Sequence, residues 1–162
     1  MKQKATLKLE NGKEITVEID IKELEEKPFP QEGDEYWISW SDGDVSKITW
    51  ENTETQQLWL GQGRIVETEQ QAKNLTRARA LIQAIKVRRK ELNGDWEPDF
   101  SGDVKNYFLC IEEQMISIGF IYYENNAPAF GYYKDYESAH GIIDEFEDDL
   151  IWYFTEYVPE VN

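Results

Sequence analysis

His140, Cys110, Pro98-Asp99 with Glu112-Glu113-Gln114, and the carboxylates around Asp144 and Asp148 are the residues of this chain whose types suit chemistry. An imidazole on a helix can move a proton near neutral pH. His140 is the only histidine, and it lies beside an apolar helical stripe, where histidine is ordinarily a boundary residue. Pro-Asp followed by Glu-x-Lys is a metal-nuclease arrangement. Here the lysine is missing and Asp103-x-Lys105 comes too soon after Asp99, so a nuclease is rejected. Gly61-x-Gly63 precedes a helix start but lacks the third glycine and the βαβ setting of an anion loop. Two glycines at an irregular strand entry account for it better. Asp144 and Asp148 are four apart and share a helix face, with Glu145, Glu147 and Asp149 beside them. They invite a divalent cation, but metal sites recruit ligands from several elements, and a solvated acidic face is the commoner meaning. Cys110 sits in an apolar run and reads as a small hydrophobe. No serine, cysteine or lysine has a context that would activate it. The residues name no reaction, no cofactor and no metal, and the chain reads as a non-enzyme.

Charge is the stronger signal. Residues 1 to 94 are near balance, with 17 acidic against 15 basic residues, whereas residues 95 to 162 hold 16 acidic residues against Lys105 and Lys134 alone. Asp135, Glu137, Asp144, Glu145, Glu147, Asp148 and Asp149 fall on and around one helix with no Lys or Arg among them. Like charges four apart on a helix cost about 0.2–0.5 kcal/mol per pair, so a use for the field is one reading and general solubility the other. Carboxylates spaced like phosphates would occupy the Lys/Arg groove of a DNA-binding protein. These seven are the expected partner-binding residues. A second helix, with Lys73, Arg77, Arg79, Lys86, Arg88, Arg89 and Lys90, is basic. It reads as a patch for nucleic acid or an acidic partner, or as a solvated face that partly neutralises the acidic half. A net charge of −16 opposes phosphate binding at long range and favours the second meaning.

The elements that position these residues are legible. Residues 5 to 21 alternate around Asn11-Gly12, a two-residue hairpin turn. Lys22 to Lys27 form a helical turn that Pro28 and Pro30 end. Strands follow over Tyr36 to Trp40 and Val45 to Trp50, joined at Asp42-Gly43, and a third covers Gly63 to Val66. Thr68 with Gln71 makes a capping box, and Leu75, Ala78, Ile82, Ile85 and Leu92 form the stripe of a helix that Asn93-Gly94 ends. After a connector over 95 to 104, strands cover Tyr107 to Ile111, Met115 to Tyr123 and Phe130 to Tyr133. Asp135 caps a last helix with the stripe Ala139, Ile142, Ile143, Phe146, Leu150 and Tyr153. Asp148 and Asp149 would be unfavourable at the negative end of a helix dipole, so this helix runs on toward Tyr157. Met115 to Tyr123 is apolar on both faces, which predicts cover on both.

The two halves look like copies of one unit: Glu35-Tyr36-Trp37 matches Asn106-Tyr107-Phe108, Trp50-Glu51-Asn52 matches Tyr123-Glu124-Asn125, and Thr68 matches Asp135. The expected fold is α+β, with an N-terminal β-hairpin and linker over 1–30, a βββα unit over 31–94 and an acidic βββα unit over 95–162, both with antiparallel sheets. A single cysteine, no stretch near the ~20 apolar residues that span a bilayer, and no apolar signal core after Met1-Lys2-Gln3-Lys4 place the protein in the cytoplasm.

Over residues 5 to 150 the chain resembles a family of small hypothetical proteins of phages and prophages of Gram-positive bacteria. The matching stretches are Asn11-Gly12, Asp42-Gly43, Gly63-Arg64-Ile65-Val66-Glu67-Thr68, Glu91-Leu92-Asn93, Trp96-Glu97-Pro98-Asp99 and Lys105-Asn106-Tyr107-Phe108. Arg64 stands where that family has Asn, and Val66 where it has an aromatic. The family carries no settled activity or site residues, so the resemblance implies origin alone. In that setting small accessory proteins bind and block host defence enzymes, including CRISPR nucleases and restriction systems. The expectation is an anti-defence inhibitor of a nucleic-acid-handling host protein. It contacts protein, with no direct nucleic acid and no membrane, and a homodimer is allowed. A structural or adaptor role in phage replication or assembly, as a homo-oligomer, is the alternative.

Overall fold

The computed structural model describes residues 2–8, 14–20, 29–123 and 128–157. The Asn11-Gly12 turn and the helical turn expected over 22–27 lie outside the described residues. The strands flanking that turn, β1 (Lys2–Lys8) and β2 (Glu14–Asp20), pair antiparallel from Lys2 with Asp20 to Lys8 with Glu14.

A three-stranded antiparallel sheet follows, built from β3 (Glu35–Ser39), β4 (Val45–Thr49) and the short β5 (Ile65–Val66), with β3 in the middle. An unexpected helix, α1 (Glu54–Gly61), interrupts the return from β4 to β5. Its signal was present: Thr53 and Gln56 form a full capping box. Its apolar residues Leu58, Trp59 and Leu60 are consecutive rather than spaced as a stripe; Trp59 and Leu60 pack on the sheet, and its buried residue, Gln56, is polar. The Gln56 amide donates to Thr49 O at 2.8 Å and accepts from Glu51 N–H at 2.7 Å, tying helix to sheet. Tyr36, Trp50 and Ile65 form a small apolar cluster beneath it.

The long helix α2 (Glu69–Asn93) begins at the Thr68–Gln71 capping box as expected, and Gly94 takes positive φ just past its end. Ala78 and Ile85 of its stripe are buried, Ile82 and Leu92 pack against the main core, and Ala72 and Leu81 join the buried face. The remaining sheet pairs β6 (Asn106–Glu112) with β7 (Met115–Ile121) through the tight turn at Glu113-Gln114. Helix α3 (Tyr136–Thr155) opens at Asp135 and packs Ala139, Ile142, Leu150 and Tyr153 into the main core against α2, Leu109 and Phe130. It does run past Asp149.

Two local expectations are corrected. The strand expected over Phe130 to Tyr133 contracts to one bridge, Tyr133 with Tyr107. The carbonyls a strand would offer are taken by α2: the Arg89 guanidinium donates to Phe130 O, and the Asn93 amide to Tyr132 O at 2.9 Å. Nor is β7 covered on both faces. It is the edge of a two-stranded sheet, and Met115, Phe120, Tyr122 and Tyr123 are exposed.

The Asp135 cap makes a direct test of α3. Hydrogen bonds from Ser138, the side chain first and the backbone N–H at 2.8 Å with it, hold the Asp135 carboxyl below the usual range. A carboxyl lowered in the folded state contributes stability above its unfolded value of about 3.9 and loses it as pH falls through the folded value. Asp135→Ala should therefore cost about 1 kcal/mol at neutral pH. That difference should close in acid, read as urea midpoints at both pH values; an equal deficit at both would show that the carboxylate is not the cap.

Candidate functional site

The seven carboxylates singled out in the sequence do not form one wall; the fold sorts them into three groups. Asp135 is spent as the cap of α3. Asp149 and Glu145, one turn apart, face α2. Arg77 donates to Asp149 Oδ1 through Nε at 3.1 Å and Nη2 at 2.6 Å, and lies 3.9 Å from the Trp152 ring centroid. Arg88 donates through Nε to Glu145 at 2.9 Å and through Nη1 to Glu91 at 2.9 Å. Glu137, Asp144, Glu147 and Asp148 are left exposed on α3, with no Lys or Arg in ion-pair contact among the described residues.

The basic helix is likewise committed. Arg77 and Arg88 hold α3, Arg89 holds the chain at Phe130, Lys73 pairs with Glu69, and Arg79 turns to the carbonyls of Gln62 and Gly63 at 3.2 and 3.3 Å. Arg77 and Arg88 thus neutralise two carboxylates of the acidic half, Arg79 and Arg89 serve backbone carbonyls, and Lys86 and Lys90 stay exposed.

A kink explains part of the acidic run. Phe146 leaves helical geometry, at φ −127° and ψ 19°, so Glu147, Asp148 and Asp149 form the opening turn of a second helical segment. Carboxylates there meet the positive end of the backbone dipole, worth about 0.3–1 kcal/mol each. The repulsion along α3 is thus partly offset inside the helix itself.

The other candidates stay modest. His140 is exposed on α3, its Nδ1 3.1 Å from Asp144 Oδ2 and its ring beside Tyr136. Cys110 is half-buried, and burial pushes its thiol up, which disfavours the thiolate a nucleophile needs. Asp99 serves its own loop, accepting from Ser101 N–H at 2.8 Å. Among the described residues no three His, Cys, Asp or Glu side chains are placed to hold a metal ion, and no helix is long and apolar enough to cross a membrane. No family model, curated protein or solved structure matches this chain.

Proposed function

We propose that this is a phage or prophage protein that binds a basic, nucleic-acid-handling host defence protein and blocks it, without catalysis of its own. The observation that carries this reading is the sorting of carboxylates on α3. Two are neutralised by α2, and Glu137, Asp144, Glu147 and Asp148 remain outside with no Lys or Arg in contact among the described residues. A one-sign surface of that kind steers a cationic partner over about a Debye length, ~8 Å at physiological salt. The contact is accordingly smaller than the sequence suggested: it excludes Asp135, Glu145 and Asp149, whose charges are used within the fold.

Affinity capture from a bacterial lysate tests it, with wild type beside Glu137→Gln/Asp144→Asn/Glu147→Gln/Asp148→Asn. The wild type should retain a nucleic-acid-binding protein that the variant loses, and retention should fall steeply as salt rises. Equal recovery by both proteins, or salt-independent recovery, would remove the proposal.

The alternative, a homo-oligomeric structural or adaptor protein of phage replication or assembly, draws on β7. Its outer edge has no strand partner among the described residues, and Met115 and Phe120 beside it are exposed. Such an edge pairs readily with another strand. An apolar strand contact would survive salt, so sedimentation at low and high salt separates the two readings.

We further propose that the halves are variants of one plan. In each, the first strand is central and the second lies on one side of it. A pairing on the other side comes two residues before the helix cap: Trp37 with Val66 before Thr68, and Tyr107 with Tyr133 before Asp135.

A further inference from the structure

The near-neutral half of the chain contains a cleft of about 620 Å³ between the β3–β4 turn, the α1–β5 link and α2, and two arginines line it. Arg64 donates through Nε to Ser39 O at 3.1 Å and lies over the Trp40 ring, 5.4 Å from its centroid. Arg79 is held through Nη1 by the Ser39 hydroxyl at 3.4 Å and through Nη2 by the carbonyls of Gln62 and Gly63. The same hydroxyl lies 2.8 Å from Thr76 Oγ1, and Ser39 is fully buried. One buried serine therefore fixes both guanidinium groups, each through a different oxygen.

Every one of these contacts is to a neutral acceptor. Arg77 and Arg88, on the same α2, each have a carboxylate; Arg64 and Arg79 have none in ion-pair contact among the described residues. Asp42, at the rim, instead accepts from Asp44 N–H within its own turn at 3.2 Å. In a chain with 33 acidic residues against 17 basic, two arginines left side by side with neutral partners are an unusual use of positive charge. The arrangement is uncomfortable: burial foremost, and the charge of Arg64 after it, pull Arg79 below the usual arginine range. An anion between them relieves both effects.

We propose that this cleft binds a phosphate-bearing small molecule of nucleotide size, its phosphate seated between Arg64 and Arg79. Guanidinium forks match phosphate oxygens in pairs, and both Nη groups of Arg64 have no protein acceptor among the described residues. A phosphate offers oxygens and charge to both arginines at once, where a single carboxylate neutralises only one. The cleft volume lies in the range of sites that enclose small ligands, roughly 300–1,000 Å³. The site is independent of the acidic face of α3.

Calorimetric titration of the full chain with pyrophosphate, AMP and adenosine tests the assignment. Pyrophosphate and AMP should bind, and adenosine at least about tenfold more weakly. Arg64→Gln and Arg79→Gln should each weaken AMP by about tenfold or more, and the exposed Lys86→Gln should leave it unchanged. Ser39 anchors both arginines, so circular dichroism accompanies each variant; if Arg79→Gln does not fold, Arg64→Gln decides. Absence of pyrophosphate and AMP binding at millimolar concentration would overturn the proposal. So would equal AMP affinity in Arg64→Gln and wild type, or an equal loss in Lys86→Gln.

Discussion

Asn106→Asp should cost roughly 4 kcal/mol or more at neutral pH and markedly less in mild acid, although it changes one atom. Asn106 is fully buried at the start of β6, and its amide is satisfied on both sides. Oδ1 accepts from Asp99 N–H at 2.9 Å, and Nδ2 donates to Asp99 O at 2.6 Å and toward Val104 O and Ile121 O at 3.4 Å. The side chain thereby binds the connector to the end of β7. A carboxylate would turn a second oxygen toward three carbonyl oxygens. It escapes only by keeping a proton, so its folded value must rise above the unfolded value. The penalty then grows with pH from the unfolded value near ~3.9 up to the folded value, by about 1.4 kcal/mol per pH unit. Asn106→Leu leaves Asp99 N–H and Asp99 O without their side-chain partner and adds no titration, so its loss of about 3 kcal/mol should be flat with pH. Urea midpoints of both variants at pH values across that window check this. A flat profile for Asn106→Asp would mean that the amide nitrogen does not face those carbonyls.

Gly131→Ala should cost about 3 kcal/mol, for two separable reasons. Gly131 has φ +71°, a region where an L side chain costs about 1–2 kcal/mol. An added Cβ would also overlap Arg89 Nη1, so the guanidinium must shift and release Phe130 O. A hydrogen bond from a charged donor contributes about 1.5–3 kcal/mol. A double-mutant cycle divides the two. In an Arg89→Ala background, Gly131→Ala should cost only the backbone term, and the two changes together should fall short of their sum by about 1.5 kcal/mol or more. Full additivity would show that Arg89 does not depend on the missing side chain.

The same contact explains why the second half departs from its expected form. Local alternation around Phe130 to Tyr133 reads as a strand, yet Arg89 and Asn93 of α2 claim the carbonyls of Phe130 and Tyr132, leaving Tyr133 alone to pair. Helix α1 failed to show for the opposite reason. Its capping box was in plain view at Thr53 to Gln56, but its apolar residues Leu58, Trp59 and Leu60 are consecutive and show no helical period to read. The expected cover on β7 rested on composition, and composition does not say whether a neighbouring strand exists.

What the sequence by itself determined were features written in short windows: the Thr68 and Asp135 caps, the Gly94 stop, the apolar stripes of α2 and α3, the α+β class, and the run of α3 past Asp149. Each depends on residues within a turn or two of one another, where spacing and backbone chemistry act directly. The tertiary structure alone decided which charges remain outside. Arg77 and Asp149 meet across 72 positions of chain, and Arg64 and Arg79 share Ser39 through two different oxygens, from the α1–β5 link and from α2. Ion pairing is pairwise and short-ranged, so a count of carboxylates gives the field but not its owners. Only the packing of α2 on α3 separates the carboxylates used within the molecule from those left exposed.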